Sequence, residues 1–213
     1  MVISFLRLQN LSLQSIYCEQ VVANFAKMVY YGAVLARERH LFYFEGNMIT
    51  CSFFGHRDTP DTKEMREKVR KTVEYLIVEN GVDTFLFGSR SKFDMLCHIV
   101  VTQLKLKYPY IIRAAYLCKH ETVCLVGKGA QTQHSLKQRT GQDVYCGEYE
   151  EVKRCEKVDM AGRACYVERN QWMIDDSNFV IVHLDETKER KRVSGSELAY
   201  QYAKKKDRKI SLV

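Results

Sequence analysis

From Met48 onward the chain repeats one figure: a short apolar run, a turn of small residues, then a capped helix. Ile49–Phe54 is the first apolar run, and it ends on Gly55-His56-Arg57-Asp58. A helix follows, with Asp61-x-x-Glu64 as its expected capping box and Pro60 in the first turn. Its apolar residues Met65, Val69, Val73 and Leu76 recur at helical spacing, and Asn80-Gly81 stops it. Thr84–Phe87 is the next strand and ends on Gly88-Ser89. Ser91-x-x-Asp94 caps a second helix carrying Leu96, Val100 and Leu104, with Tyr108-Pro109 at its end. A third strand is expected over Ile111–Leu117.

Residues 118–158 mix polar loops with the aromatic and acidic segment DVYCGEYEEV, and no periodicity assigns them. Regularity then returns. A helix is expected from about Met160 to Asp175 and a nearly all-apolar strand over Phe179–Leu184. The capping box Ser194-x-x-Glu197 opens a helix over Glu197–Lys206, and Ile210–Val213 closes the chain as a short strand. Strands that alternate with helices require a parallel sheet covered on both faces. The expected fold is therefore α/β, a Rossmann-like three-layer domain with a mostly parallel sheet over residues 48–213.

Residues 1–47 show no element with caps and are expected to be an N-terminal extension, peripheral or disordered. Glu45-Gly46 requires a purine-rich codon pair just ahead of Met48, the composition of a bacterial ribosome-binding site. Translation from Met48 is the expectation; an appended helix that docks on the domain or on a partner is the alternative.

Composition narrows the function classes. With 46% hydrophobic residues and two prolines in 213, the chain supports a core and is no linker or fibre. The eight cysteines (18, 51, 97, 118, 124, 146, 155, 165) have no framework spacing and form no C-x-x-C pair. Free thiols in a reducing cytoplasm are expected, and no metal, although Cys118, Cys124, Cys146, Cys155, His120 and His134 share one region. Val21–Ala36, the most apolar stretch, is interrupted by Asn24 and Lys27, so no membrane span is expected. The net charge of +7 permits nucleic acid. The basic runs KERKR (188–192) and KKKDRK (204–209) lack an alternating aromatic platform, so nucleic acid is the weaker partner.

Ligands of open parallel sheets bind beyond the carboxyl ends of the strands. That rule selects Gly55-His56-Arg57-Asp58, Gly88-Ser89-Arg90-Ser91, Asp185-Glu186 and Ser194-Gly195-Ser196. Two of these turns feed helix N-termini, where unpaired N–H groups and the helix dipole favour an anion such as phosphate. Arg57 and Arg90 add charge-assisted donors. Each turn is also an ordinary turn, and Ser91 and Ser194 serve as caps. His56 is a candidate general acid or base, or a hydrogen-bonded structural residue. No Walker motif, G-x-G-x-x-G or Ser-His-Asp ordering is present, and no cofactor is expected.

Four segments in order, FFGHRD, FLFGSRSKFD, AGRACYVERNQWMIDDSNFVIVHLDE and SGSELAYQYAKKK, resemble the YpsA-like branch of the SLOG superfamily, whose relatives include DprA and the LOG enzymes. The resemblance implies a Rossmann-like fold and a pocket for a nucleotide or nucleotide-derived small molecule. It places Arg169, in VERN, where LOG enzymes carry an arginine at the sugar or glycosidic side. It also aligns Gly195 and Ser196 with the G-T of the LOG P-G-G-x-G-T-x-x-E loop. Ala199 then stands where the assisting Glu should be, and the Pro-Gly-Gly is missing. A methyl group neither activates water nor stabilises an oxocarbenium-like charge. LOG-type hydrolysis would need Asp94, Asp175 or Glu197 as a substitute.

The leading expectation is a cytoplasmic nucleotide-ligand binder or sensor, with Gly55, Arg57, Gly88, Ser89, Gly195 and Ser196 cradling phosphate and Arg169 at the sugar. The alternatives are a hydrolase of nucleotides or ADP-ribose-like compounds using His56, Asp94 or Arg169, and a DprA-like binder of single-stranded DNA. A homodimer is a further expectation.

Overall fold

Side-chain alternation along every central strand sets the architecture. In a computed structural model, which describes residues 48–88, 91–127, 143–185 and 193–213, six strands form one sheet in which every pairing is parallel. In chain order the elements are β1 (Thr50–Gly55), α1 (Lys63–Asn80), β2 (Thr84–Phe87), α2 (Lys92–Lys105), β3 (Ile112–Leu117), β4 (Glu121–Leu125) and β5 (Asp143–Tyr149). There follow β6 (Glu151–Arg154), α3 (Glu156–Met160), a 3-10 turn (Gly162–Ala164), α4 (Cys165–Asp175), β7 (Phe179–His183), α5 (Gly195–Lys205) and β8 (Lys209–Leu212).

The odd and even residues of the strands feed two separate cores. Cys51, Phe53, Phe85, Phe87 and Ile181 pack against Val69, Val73, Leu96 and Val100 of α1 and α2. Phe54, Leu86, Tyr116, Val180 and Val182 pack on the other face against Met173, Ile174, Ala199 and Ala203 of α4 and α5. Two apolar faces with a helical layer on each make the three-layer α/β fold. Ser52 is a fully buried polar residue in β1. Its hydroxyl lies 2.8 Å from that of Ser177, which is itself 2.6 Å from the Met173 carbonyl, so the buried oxygens are satisfied.

Local chemistry explains the starts of α1, α2 and α5 and the end of α1. The Oγ atoms of Ser91 and Ser194 accept from the N–H groups of Asp94 and Glu197, and Gly81 ends α1 at φ 67°. At the start of α1 the expected cap is displaced by one residue. Thr62, not Asp61, takes the Met65 N–H, because Asp61 is engaged by Arg66 through two hydrogen bonds of 2.6 Å. The helix expected from Met160 begins at Cys165 instead, after α3 and the 3-10 turn.

The unassigned stretch contributes a sheet strand. β6 adds to the edge of the main sheet beside β3, while β4 and β5 form a separate parallel pair. Residues 1–47 and 128–142, the side chains of 143–146, Ser89, Arg90 and 186–192 lie outside the described residues. The expectations for the N-terminal extension, His134, Cys146 and KERKR therefore lie there too. Among the described residues no helix is long and apolar enough to cross a membrane.

Strand order fixes where a ligand belongs. Across the sheet it runs β6-β3-β2-β1-β7-β8, so successive strands step outward from β1 in one direction and β7 begins the return on its other side. The switch point therefore falls between β1 and β7, in register from Cys51↔Phe179 to Gly55↔His183.

Candidate functional site

The carboxyl end of β1 delivers its turn to that switch point. Gly55 is compelled by packing: a Cβ there would lie 2.3 Å from Cγ of Phe93, whose ring stacks on His183 at 5.5 Å. The turn that follows is tied down on two sides. The Thr59 hydroxyl donates to the His56 carbonyl at 2.9 Å, and the Lys92 N–H donates to the Arg57 carbonyl at 3.3 Å. His56 is buried by this arrangement and Arg57 is left exposed.

A cavity of about 330 Å³ opens beyond the turn. Gly55, His56, Arg57 and Asp58 line one side, Tyr166, Arg169 and Asn170 of α4 another, and Ser194, Gly195 and Ser196 the third. Because Ser194 Oγ takes the Glu197 N–H, the N–H groups of Gly195 and Ser196 are left as first-turn donors at the cavity wall. No atom lies within 4 Å of where a Gly195 Cβ would be, so this turn keeps open space in front of it.

Arg169 is held from behind. Its Nη1 lies 3.4 Å from Glu121 Oε2, and both side chains are buried. Glu121 Oε2 also accepts the Cys118 N–H at 2.9 Å, and the Arg169 guanidinium lies 5.1 Å from the Tyr166 ring centre. Burial pushes the Cys118 thiol up to about 12, so this neighbour of Arg169 stays neutral and Glu121 is the counter-ion. Gly88 makes the room: a Cβ on it would sit 2.9 Å from Arg169 Nε and 2.6 Å from Met173 Sδ. Arg169 is thus a pre-positioned donor rather than a mobile charge.

Of the residues singled out in the sequence, Gly55, His56, Arg57, Arg169, Gly195 and Ser196 line this one cavity, and Gly88 packs behind it. Ser89 is outside the described residues. Asp94 is not among the lining residues; it is buried in the first turn of α2. Neither Asp175 nor Glu197 lines the cavity either, and Asp175 instead accepts from Tyr202 and pairs with Lys206 at 2.8 Å. Ala199 faces the core. The geometry therefore brings none of the three substitute acids to the cavity.

Sequence reasoning missed Tyr166 and Asn170. They stand three residues before and one after Arg169, on the face that reaches the sheet edge, and that spacing was the available signal. Glu121 had no such signal, since it lies in the aperiodic stretch. At the opposite end of α5, Lys204 and Lys206 sit 4.3 and 5.2 Å from the ring centres of Tyr200 and Tyr202, so these lysines of the basic run lie over aromatic rings.

A parallel α/β sheet with a cavity at its switch point, walled by a helix N-terminus and two arginines, defines a Rossmann-like domain suited to an anionic ligand. The family model described as the YspA SLOG family (YpsA) matches residues 50–213, and the chain belongs to that family. No curated protein matches the sequence. Membership of the SLOG family points in general terms to nucleotide-related binding.

Proposed function

We propose that this protein binds or senses a nucleotide or nucleotide-derived small molecule, whose phosphate occupies the cavity at the end of β1. One observation carries the reading: the Gly55–Asp58 turn, the N-terminus of α5 and Arg169 converge on a single cavity from three separate elements. Backbone N–H donors with the helix dipole favour phosphate there, and Arg57 is the exposed charge free to close on it. The cytoplasm is the compartment this reading implies, in keeping with Cys51, Cys97, Cys118, Cys124, Cys155 and Cys165 being free thiols.

Binding is favoured over hydrolysis by the core position of Ala199 and by the placement of Asp94, Asp175 and Glu197 away from the lining. Thermal denaturation with a panel of nucleotides, ADP-ribose and NAD tests the reading. A ligand present at a hundred times its dissociation constant stabilises by about 2.7 kcal/mol, which raises the melting temperature by several degrees. No shift with any of them at millimolar concentration would sink it.

A further inference from the structure

A second cavity of about 240 Å³ lies between α4 and α5, and it meets the first at Asn170 and Gly195, which line both. Its walls differ from those of the first. Val167, Leu198 and Ala199 contribute aliphatic surface, and the Tyr202 ring is fixed in place by its hydroxyl, 3.1 Å from Asp175 Oδ2. At the junction, Asn170 Oδ1 is shielded from solvent and has no hydrogen-bond partner among the described residues. A shielded carbonyl oxygen without a donor is costly, and native structures leave few of them.

We infer that the α4–α5 cavity is the seat of the non-phosphate part of the ligand, a flat apolar ring system carrying an N–H donor for Asn170 Oδ1, which is the chemistry of a nucleobase. The inference rests on the phosphate reading of the first cavity. Small-ligand sites occupy roughly 300–1,000 Å³ and combine apolar walls with few polar anchors. The first cavity alone, at about 330 Å³, is at the bottom of that range and is polar where phosphate would sit. The second cavity adds an apolar wall, the polar side chains of Gln171, Gln201 and Lys205 in its lining, and one shielded acceptor without a donor, Asn170 Oδ1. A ligand bridging the two would pass over Gly195, where any side chain would project into the passage.

The test uses the full chain and calorimetric titration with ribose 5-phosphate and with the four ribonucleoside 5′-monophosphates, each of which carries a base N–H donor. At least one monophosphate is expected to bind wild type about tenfold or more tightly than ribose 5-phosphate. Leu198→Trp, a substitution at a residue 43% exposed, fills the second cavity, and Asn170→Leu removes the acceptor. Either variant is expected to erase the base advantage, and Leu198→Trp, whose residue lines the second cavity and not the first, to keep ribose 5-phosphate affinity within about twofold. Either variant keeping the base advantage, or Leu198→Trp losing ribose 5-phosphate equally, overturns the inference. So does a wild-type protein that binds ribose 5-phosphate with no preference for any base, which leaves the phosphate reading intact. Failure of wild type to bind any of the five defeats both.

Discussion

Arg169 Nη1 and Glu121 Oε2 stand 3.4 Å apart with both side chains buried, joining α4 to the start of β4 directly behind the candidate phosphate cavity. Removing one member of such a pair leaves a buried charge uncompensated, whereas replacing both with apolar groups costs far less. Glu121→Leu is therefore expected to lower unfolding stability by about 3 kcal/mol. The double variant Glu121→Leu/Arg169→Met should lose clearly less than the sum of its single substitutions. Urea denaturation of the four proteins measures this coupling; strict additivity would show that the two charges do not depend on one another.

Two glycines at the cavity should respond in opposite ways. Gly55→Ala forces a methyl to within 2.3 Å of the Phe93 ring and is expected to destabilise by about 1–3 kcal/mol. At Gly195 no atom lies within 4 Å, so Gly195→Ala should leave the melting temperature unchanged or slightly higher while weakening nucleotide binding at least about tenfold. Thermal melts paired with titrations separate the two effects. Undiminished affinity in Gly195→Ala would remove that turn from the site.

The pH dependence of folding should carry a signature of His98. Burial holds its imidazole below the usual value of 6.5, more than the hydrogen bond of Nε2 to the Glu148 carbonyl raises it. A carbonyl only accepts, so Nε2 carries the proton of the neutral ring. The unfolded chain takes up the second proton more readily than the folded one. The stability contribution is thus complete above pH 6.5 and is lost as pH falls below it toward the folded value. His98→Gln should flatten the difference between denaturation free energies at about pH 8 and pH 5.5, relative to wild type. An identical pH slope in both proteins would assign the effect elsewhere.

The elements that place the site were legible because short-range chemistry sets them. Ser91 and Ser194 cap with their own third neighbours, Gly81 supplies the left-handed stop, and period-two alternation in Cys51–Phe54 sorts side chains to two faces. The Asp61 cap was displaced because Arg66 engages its carboxylate, a side-chain contest that propensity does not encode. β6 went unread since its Glu-Val-Lys-Arg sequence has no apolar run; a strand at the sheet edge needs none. The site divides the same way. Gly55, Arg57 and Gly195 follow from the rule that ligands gather at strand ends, whereas Glu121 reaches Arg169 across 48 residues through tertiary packing alone.

Calorimetric titration of wild type and Arg57→Ala, with whichever nucleotide stabilises the protein most, tests the phosphate site at the end of β1. Arg57 is exposed and lines the cavity, so its truncation should leave the melting temperature unchanged. A charge-assisted hydrogen bond is worth about 1.5–3 kcal/mol, so affinity should fall roughly 10- to 100-fold. Equal affinity in the two proteins, with the fold intact, would contradict a phosphate site at the end of β1.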